Sequence, residues 1–147
     1  MLGLVLIAVA LAGLTLRGLQ PRHQPDRQKF CFAEWCVTPI AIRSDSPSIT
    51  VQVRVSSEAR MRTQRPDHPQ AWLRGADSNL IGGPQPALGR AIGPGAAYLA
   101  TLTFPIAPGS GCMDFTVAEG GWPPFLGLGY SPSPFTERVD WRLCLTS

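Results

Sequence analysis

The residues of this sequence best suited to chemistry are its four cysteines, and their spacing favours disulfides over redox or metal chemistry. Cys31 and Cys36 have four residues between them in FCFAEWC, which is not the CxxC spacing of a thioredoxin-like centre. An all-thiolate zinc site would also need Cys112 and Cys144, but zinc motifs place their ligands in close pairs and these two are far apart. We therefore expect a Cys31 to Cys36 bridge and a Cys112 to Cys144 bridge, each stabilising the fold by about 2 to 4 kcal/mol. The crossed pairing stays open at this point, and no metal or cofactor is expected.

The histidines do not belong to a catalytic pattern. Only His23 and His68 are present, and His68 stands in RPDHPQ between two prolines, which is typical of a solvated turn. The sequence contains no GxSxG, P-loop, HExxH or EF-hand spacing. We therefore expect no catalytic residue and no enzymatic activity.

A basic stretch, SSEARMRTQRP, is the first candidate binding surface. It carries Arg60, Arg62 and Arg65, and Arg60, Arg62 and Gln64 share one strand face if a strand continues that far. Such arginines suit anionic lipid, cell-wall phosphate or the acids of a partner protein. The alternative is a solvated edge strand whose charges prevent aggregation.

An aromatic loop is the second candidate surface. Trp122 and Phe125 lie in GGWPPF, and Tyr130 follows. Exposed rings stack on the apolar faces of sugars and peptides, whereas rings on a proline-rich loop also cap the end of a core. The sequence leaves both roles open.

Composition bounds the fold that must position these residues. The 147 residues include 15 Gly and 15 Pro with 16% charged residues, which disfavours long helices and favours short segments joined by turns. The net charge of +3 is mild and much of it lies in residues 17–29, so nucleic-acid binding is not expected. We expect one domain over residues 30–147.

The first residues predict an export or membrane segment. Residues 1–16, MLGLVLIAVALAGLTL, carry no charge, so we expect an apolar helix, with residues 1–19 acting as a transmembrane anchor or a cleaved signal. Residues 20–29 form a polar, proline-containing tether. The basic residues after the apolar run favour a cytoplasmic domain. Four cysteines favour an oxidising compartment, and we give them more weight, so we expect a membrane-anchored or secreted domain on the extracytoplasmic side.

From residue 30 onward the pattern is typical of strands. In Ile49–Val55, ITVQVRV, β-branched residues alternate with polar ones, as in a strand with one buried face. Further strands are predicted at 37–42, 71–73, 98–104, 115–118 and 139–145, with a brief pairing near 88–92 inside the Gly- and Pro-rich stretch 82–97. About seven short strands separated by turns favour an all-β, immunoglobulin-like β-sandwich.

The succession FCFAEWCVTPIAI, ITVQVRV, AWLRGADSNL, AAYLATLTFP and VDWRLCL resembles the secreted or membrane-anchored bacterial domains of unknown function with a telokin-like, immunoglobulin-like fold. It departs from antibody domains because Trp72 lies midway between Cys36 and Cys112. The resemblance implies a fold and no known activity. We therefore expect a non-enzymatic binding or envelope accessory module that is attached to the membrane through its N-terminal segment and has an envelope protein or glycan as partner. The alternative is a cysteine-ligated zinc or thiol protein.

Overall fold

The computed structural model describes residues 22–24, 27–75, 79–106, 111–120 and 137–145. These residues form nine strands and one short 3-10 helix, Pro86–Leu88. In chain order the strands are β1 (Arg22–Gln24), β2 (Phe30–Phe32), β3 (Trp35–Asp45), β4 (Ser48–Ser57), β5 (Gln70–Arg74), β6 (Leu80–Pro84), β7 (Ala97–Phe104), β8 (Cys112–Glu119) and β9 (Glu137–Cys144).

The strands form two sheets. One has five strands in the order β1-β9-β8-β5-β6, and the other has four in the order β2-β3-β4-β7. All neighbours pair antiparallel except β1, which runs parallel to β9. The apolar helix predicted over residues 1–16 lies outside the described residues, and within them no helix is long and apolar enough to cross a membrane.

A single hydrophobic core joins the inner faces of the two sheets, in the manner of a β-sandwich. Phe104 of the four-stranded sheet meets Phe115 of the five-stranded sheet edge to face, with ring centroids 6.2 Å apart. The ring of Phe115 also stacks on Trp141, at 5.7 Å. All three side chains are fully buried, and burial of aromatic surface on this scale contributes a large part of the folding free energy.

The alternation in the sequence sets which residues enter this core. In β4 the side chains of Ile49, Val51, Val53 and Val55 are buried, while Arg54 on the other face is exposed. Successive side chains of a strand point to opposite faces, so a period of two places one set inside. The strand predictions at 37–42, 49–55, 71–73, 98–104, 115–118 and 139–145 all fall on observed strands, extended or trimmed by a few residues.

Three strands do not follow from the sequence pattern: β1, β2 and β6. Strand β6 contains Gly82 and Gly83 and ends in Pro84, a composition that reads as a loop. Gly82 lies opposite Trp72, and a Cβ added there would come 2.1 Å from the carbonyl oxygen of Ala71. Glycine is required here because two backbones approach closely. Trp72 is buried on the face of β5 that points away from the inter-sheet core.

One end of the sandwich holds the point where the chain enters the five-stranded sheet. Arg22 is level with Val139, near the start of β9, and β1 runs from there toward Trp141. The same end carries the β2–β3 turn, residues 58–69 after β4, residues 85–96 before β7, and Glu119 at the end of β8. We call it the tether end; the far end carries the β3–β4 turn at Ser46-Pro47.

Candidate functional site

Two disulfides each close a pair of neighbouring antiparallel strands. Cys31 and Cys36 are directly opposite in the β2–β3 hairpin, and Cys112 and Cys144 are opposite in β8 and β9, with 3.9 Å between Cα atoms in both cases. The structure therefore contains the uncrossed pairing, and all four cysteines of the sequence lie among the described residues with none free. Because thiolates are the nucleophiles and metal ligands, the paired sulfurs offer neither.

An acid beside the first disulfide has a structural partner. The carboxylate of Glu58 lies within 4.8 Å of the sulfurs of Cys31 and Cys36, a grouping that would suit a metal ion only if the sulfurs were thiolates. Its Oε1 accepts a 2.5 Å hydrogen bond from Nζ of Lys29. This hydrogen bond and the charge of Lys29 hold the pKa of Glu58 below its ordinary value.

The predicted arginines lie on a loop that follows β4, residues 58–65, which we call the arginine loop. Strand β4 ends at Ser57, so the conditional continuation of the strand through Gln64 does not occur. The loop is fastened at both ends by backbone hydrogen bonds: the N–H of Glu58 donates to the carbonyl of Glu34 at 2.8 Å, and Gln64 forms a bridge with Ile92. Strand β4 is flanked by β3 and β7, so the arginine loop follows an interior strand of the sheet and not an edge strand.

Glu34, in the β2–β3 turn, organises the middle of the arginine loop. Its Oε2 accepts hydrogen bonds from Arg62 at 3.1 Å (Nε) and 2.8 Å (Nη2), and from Nε2 of Gln64 at 2.6 Å. The preceding residue, Ala33, has a φ of 49°, which lets a two-residue turn present Glu34 to the loop. The Arg62 side chain stays 74% exposed despite this pairing.

Two further arginines extend the positive surface along residues 85–96. Nε of Arg65 donates to the carbonyl of Gly89 at 3.3 Å, and the guanidinium of Arg90 lies over the ring of Tyr98, 4.9 Å from its centroid. The hydroxyl of Tyr98 donates to the carbonyls of residues 87 and 88, and burial raises its pKa. Both arginines are exposed, and these contacts are to neutral groups, which do not offset a positive charge.

The tip of the arginine loop points into solvent. Among the described residues Arg60 has no hydrogen-bond or ion-pair partner, and Met61 beside it is 92% exposed. Of the predicted surface residues, the structure thus brings Arg60, Arg62 and Arg65 onto one loop. Trp122, Phe125 and Tyr130 lie outside the described residues.

The partners that shape this surface do not follow from the sequence pattern. Glu34 could have been found from its place between the two early cysteines, at the tip of a hairpin that the disulfide would close. Arg90 and Gly89 carry no local signal, because their contact with the loop depends on how residues 85–96 cross the tether end.

His68 lies on an exposed turn. Its Nδ1 is 2.6 Å from Oδ1 of the adjacent Asp67, and the two side chains are 81% and 73% exposed. The backbone N–H of Asp67 donates to Oε1 of Glu119, which ties this turn to the end of β8. Asp67 and His68 therefore lie at the tether end, next to the last residue of β8 in the five-stranded sheet.

Comparison of the chain with models of known protein families, with curated proteins and with solved structures gave no match. The site is therefore interpreted from its own geometry.

Proposed function

We propose that this protein is an exported, membrane-tethered immunoglobulin-like β-sandwich that acts as a non-enzymatic binding or envelope accessory module. The observation that carries the proposal is that all four cysteines pair into two hairpin disulfides, in a chain that begins with 16 uncharged, largely apolar residues. Disulfides persist in oxidising compartments, and an apolar N-terminal segment is the means of reaching one.

The strand order supports an immunoglobulin-like topology. If the seven strands β3 to β9 are lettered A, B, C, C′, E, F and G, one sheet reads A-B-E and the other C′-C-F-G. Compared with the constant-type arrangement of ABED and CFG, one edge strand has moved to the opposite sheet. Trp72 then falls on strand C, but its side chain lies on the outer face of the sheet and not in the inter-sheet core, where immunoglobulin domains carry their strand-C tryptophan. The disulfides here also join neighbours within a sheet instead of B to F. The resemblance to telokin-like bacterial domains rests on this order.

The arginine loop supports a binding role. Arginines on an exposed edge strand prevent aggregation, but this loop follows an interior strand, so edge protection does not account for its charge. The proposed partner is an anionic component of the cell envelope, which a cluster of exposed guanidinium groups would attract.

The full chain is expressed in a bacterial host, and the permeabilised cells are treated with a membrane-impermeant maleimide. The intact mass of the protein then tests this proposal. We expect no added maleimide without reductant and four after denaturing reduction. The same mass shows whether residues 1–19 remain attached. Labelling of all four cysteines without reduction would overturn the proposal of an exported protein with two disulfides, and would support the zinc or thiol alternative.

A further inference from the structure

We propose that the tether end of the sandwich faces the membrane that holds residues 1–16, and that Arg60, Met61 and Arg65 contact its anionic phospholipid headgroups. This rests on the membrane tether of the proposed function. It adds an orientation of the domain, a named contact surface and a lipid class.

The length of chain before β1 limits how far the tether end can lie from the membrane. Because β1 runs parallel to β9 from the level of Val139, the residues that precede Arg22 leave the sheet at the tether end. Residues 17–21 join the apolar run to Arg22, and even fully extended they span at most about 20 Å. Strand β4, Ser48–Ser57, is about 30 Å long, so the turn at Ser46 and Pro47 lies about 30 Å farther from the membrane than the tether end does. The short connection therefore presents the tether end and its loops to the headgroup region.

The positive charges at the tether end lie next to the four-stranded sheet, and they suit contact with an anionic membrane surface. Four exposed arginines lie there, and in the described residues only Arg62 has a carboxylate partner, Glu34. Arg65 and Arg90 contact a carbonyl and a ring, which leave their charge uncompensated. The carboxylates of Asp67, Glu119 and Glu137 lie at the same end, but next to the five-stranded sheet. Glu58 of the arginine loop is paired with Lys29, which offsets its charge. Each basic residue near an anionic leaflet strengthens binding about fivefold.

Met61 gives the loop an apolar tip between two cations. An exposed apolar side chain flanked by arginines suits the boundary between headgroups and acyl chains, since guanidinium groups reach back to phosphate while the thioether enters apolar surroundings. An acidic protein would also attract the arginines and pack against Met61, but the short connection between the apolar run and Arg22 keeps this loop close to the bilayer. Lipid is therefore the favoured partner.

The experiment places an environment-sensitive fluorophore at Met61→Cys or, as the matched control, at Ser46→Cys in the far-end turn. The full chain is reconstituted into phosphatidylcholine vesicles with or without phosphatidylglycerol, and quenching by headgroup-attached spin labels is measured. We expect quenching at position 61 only when phosphatidylglycerol is present, and none at position 46. Equal signals at the two positions, in protein that floats with the vesicles, would overturn the orientation alone. Failure of the chain to float with any vesicle would overturn the tether and the inference together.

Charge variants distinguish lipid contact by the arginine loop from attraction of the whole domain by its net charge. Arg60→Gln with Arg65→Gln should lower the ratio of lipid-contacting to free molecules about tenfold or more. Arg43→Gln with Arg54→Gln removes the same charge from the exposed face of the four-stranded sheet and should leave that ratio unchanged. An equal loss in both pairs would contradict the assigned surface. Near-ultraviolet circular dichroism confirms that each variant is folded.

Discussion

Glu34 and Arg62 join two segments of the tether end: a single carboxylate oxygen, Oε2, accepts hydrogen bonds from both Nε and Nη2 of the guanidinium, at 3.1 and 2.8 Å. Through this pair the β2–β3 turn fixes the course of the arginine loop, 28 residues later in the chain. The Cys31–Cys36 disulfide closes the same hairpin, so the turn that holds the loop is itself held covalently. The loop thus projects Arg60 and Met61 from a fixed base.

The two disulfides should differ in their contribution to stability. The Cys31–Cys36 bridge has a sequence separation of 5 and the Cys112–Cys144 bridge a separation of 32. Since a disulfide restricts the unfolded chain more when its loop is longer, we expect Cys112→Ala with Cys144→Ala to lower the free energy of unfolding by about 4 kcal/mol, and the early pair of substitutions by about 2 kcal/mol. Urea unfolding of both double variants measures this. The reverse order would contradict the chain-entropy argument for this fold.

Replacing Ala33 by glycine should make the folded protein more stable. The φ of 49° at Ala33 is a conformation in which a Cβ is crowded by the backbone, and glycine adopts it without that cost. We expect Ala33→Gly to raise the free energy of unfolding by up to about 1 kcal/mol after the added flexibility of the unfolded chain is counted. Ala91→Gly, at an exposed loop position with a negative φ, is the control and should be destabilising. If both substitutions lower the midpoint of denaturation equally, the turn at Ala33 is not strained.

Gly82 should tolerate no side chain. A Cβ there would meet the Ala71 carbonyl oxygen at 2.1 Å, and the φ of 151° is one that L-residues rarely adopt. We expect Gly82→Ala to cost at least about 2 kcal/mol by separating β6 from β5. Gly93→Ala is the matched control, because nothing lies within 4 Å of its added Cβ and its φ is ordinary. Denaturant unfolding of the two variants side by side gives the comparison, and similar midpoints would show that β6 is not held this closely.

The Lys29–Glu58 pair should add a small acid-sensitive contribution to stability. The hydrogen bond and charge of Lys29 hold the pKa of Glu58 below 4.5 in the folded protein. A depressed folded pKa means that the contribution is present above the unfolded value and is lost as the pH falls through the folded one. Stability should therefore fall less steeply below about pH 4.5 in Glu58→Gln than in the unaltered chain.

A double-mutant cycle isolates this effect. In a Lys29→Gln background, replacing Glu58 by Gln should no longer change the acid limb of the stability profile, since the partner that depresses the pKa is gone. Both side chains are about half exposed, so salt should weaken the difference as well. A salt-independent effect that persists without Lys29 would assign the acid sensitivity to another group.

The strands that the sequence predicts correctly are those whose burial depends on local alternation. In β4 the run from Ile49 to Val55 specifies both the strand and its buried face, because every second residue is β-branched and apolar. The sequence predicts disulfides but leaves the crossed pairing open, and the structure contains the uncrossed one. Strand β6 could not be found this way, since glycine is required at Gly82 by its close approach to the backbone of Ala71 on the neighbouring strand β5.

The shape of the candidate site was beyond the sequence for a similar reason. The spacing of Arg60, Arg62 and Gln64 is compatible with a continued strand, and nothing near them in the chain indicates where β4 ends. The loop course is set by Glu34 and by residues 89–92, which reach it through tertiary contacts. The local pattern therefore identifies three of the four exposed arginines, Arg60, Arg62 and Arg65, whereas tertiary contacts add Arg90 and decide which of the four has a carboxylate partner.

Glu34 should also weaken the attraction of the arginine loop for anionic lipid, because it is the one carboxylate paired with a loop arginine in the described structure. Glu34→Gln removes its charge but keeps an oxygen that accepts a hydrogen bond from Arg62, so the loop should hold its course. We expect the ratio of lipid-contacting to free molecules, read from the label at Met61→Cys, to rise about fivefold, the effect of one added positive charge near the leaflet. Asp114→Asn is the control for net charge: it frees Arg142 from a single hydrogen bond of 3.4 Å near the far end of β8, away from the proposed lipid contact. An equal rise in both variants would mean that net charge alone governs lipid contact, whereas a rise confined to Glu34→Gln would locate the contact on the arginine loop.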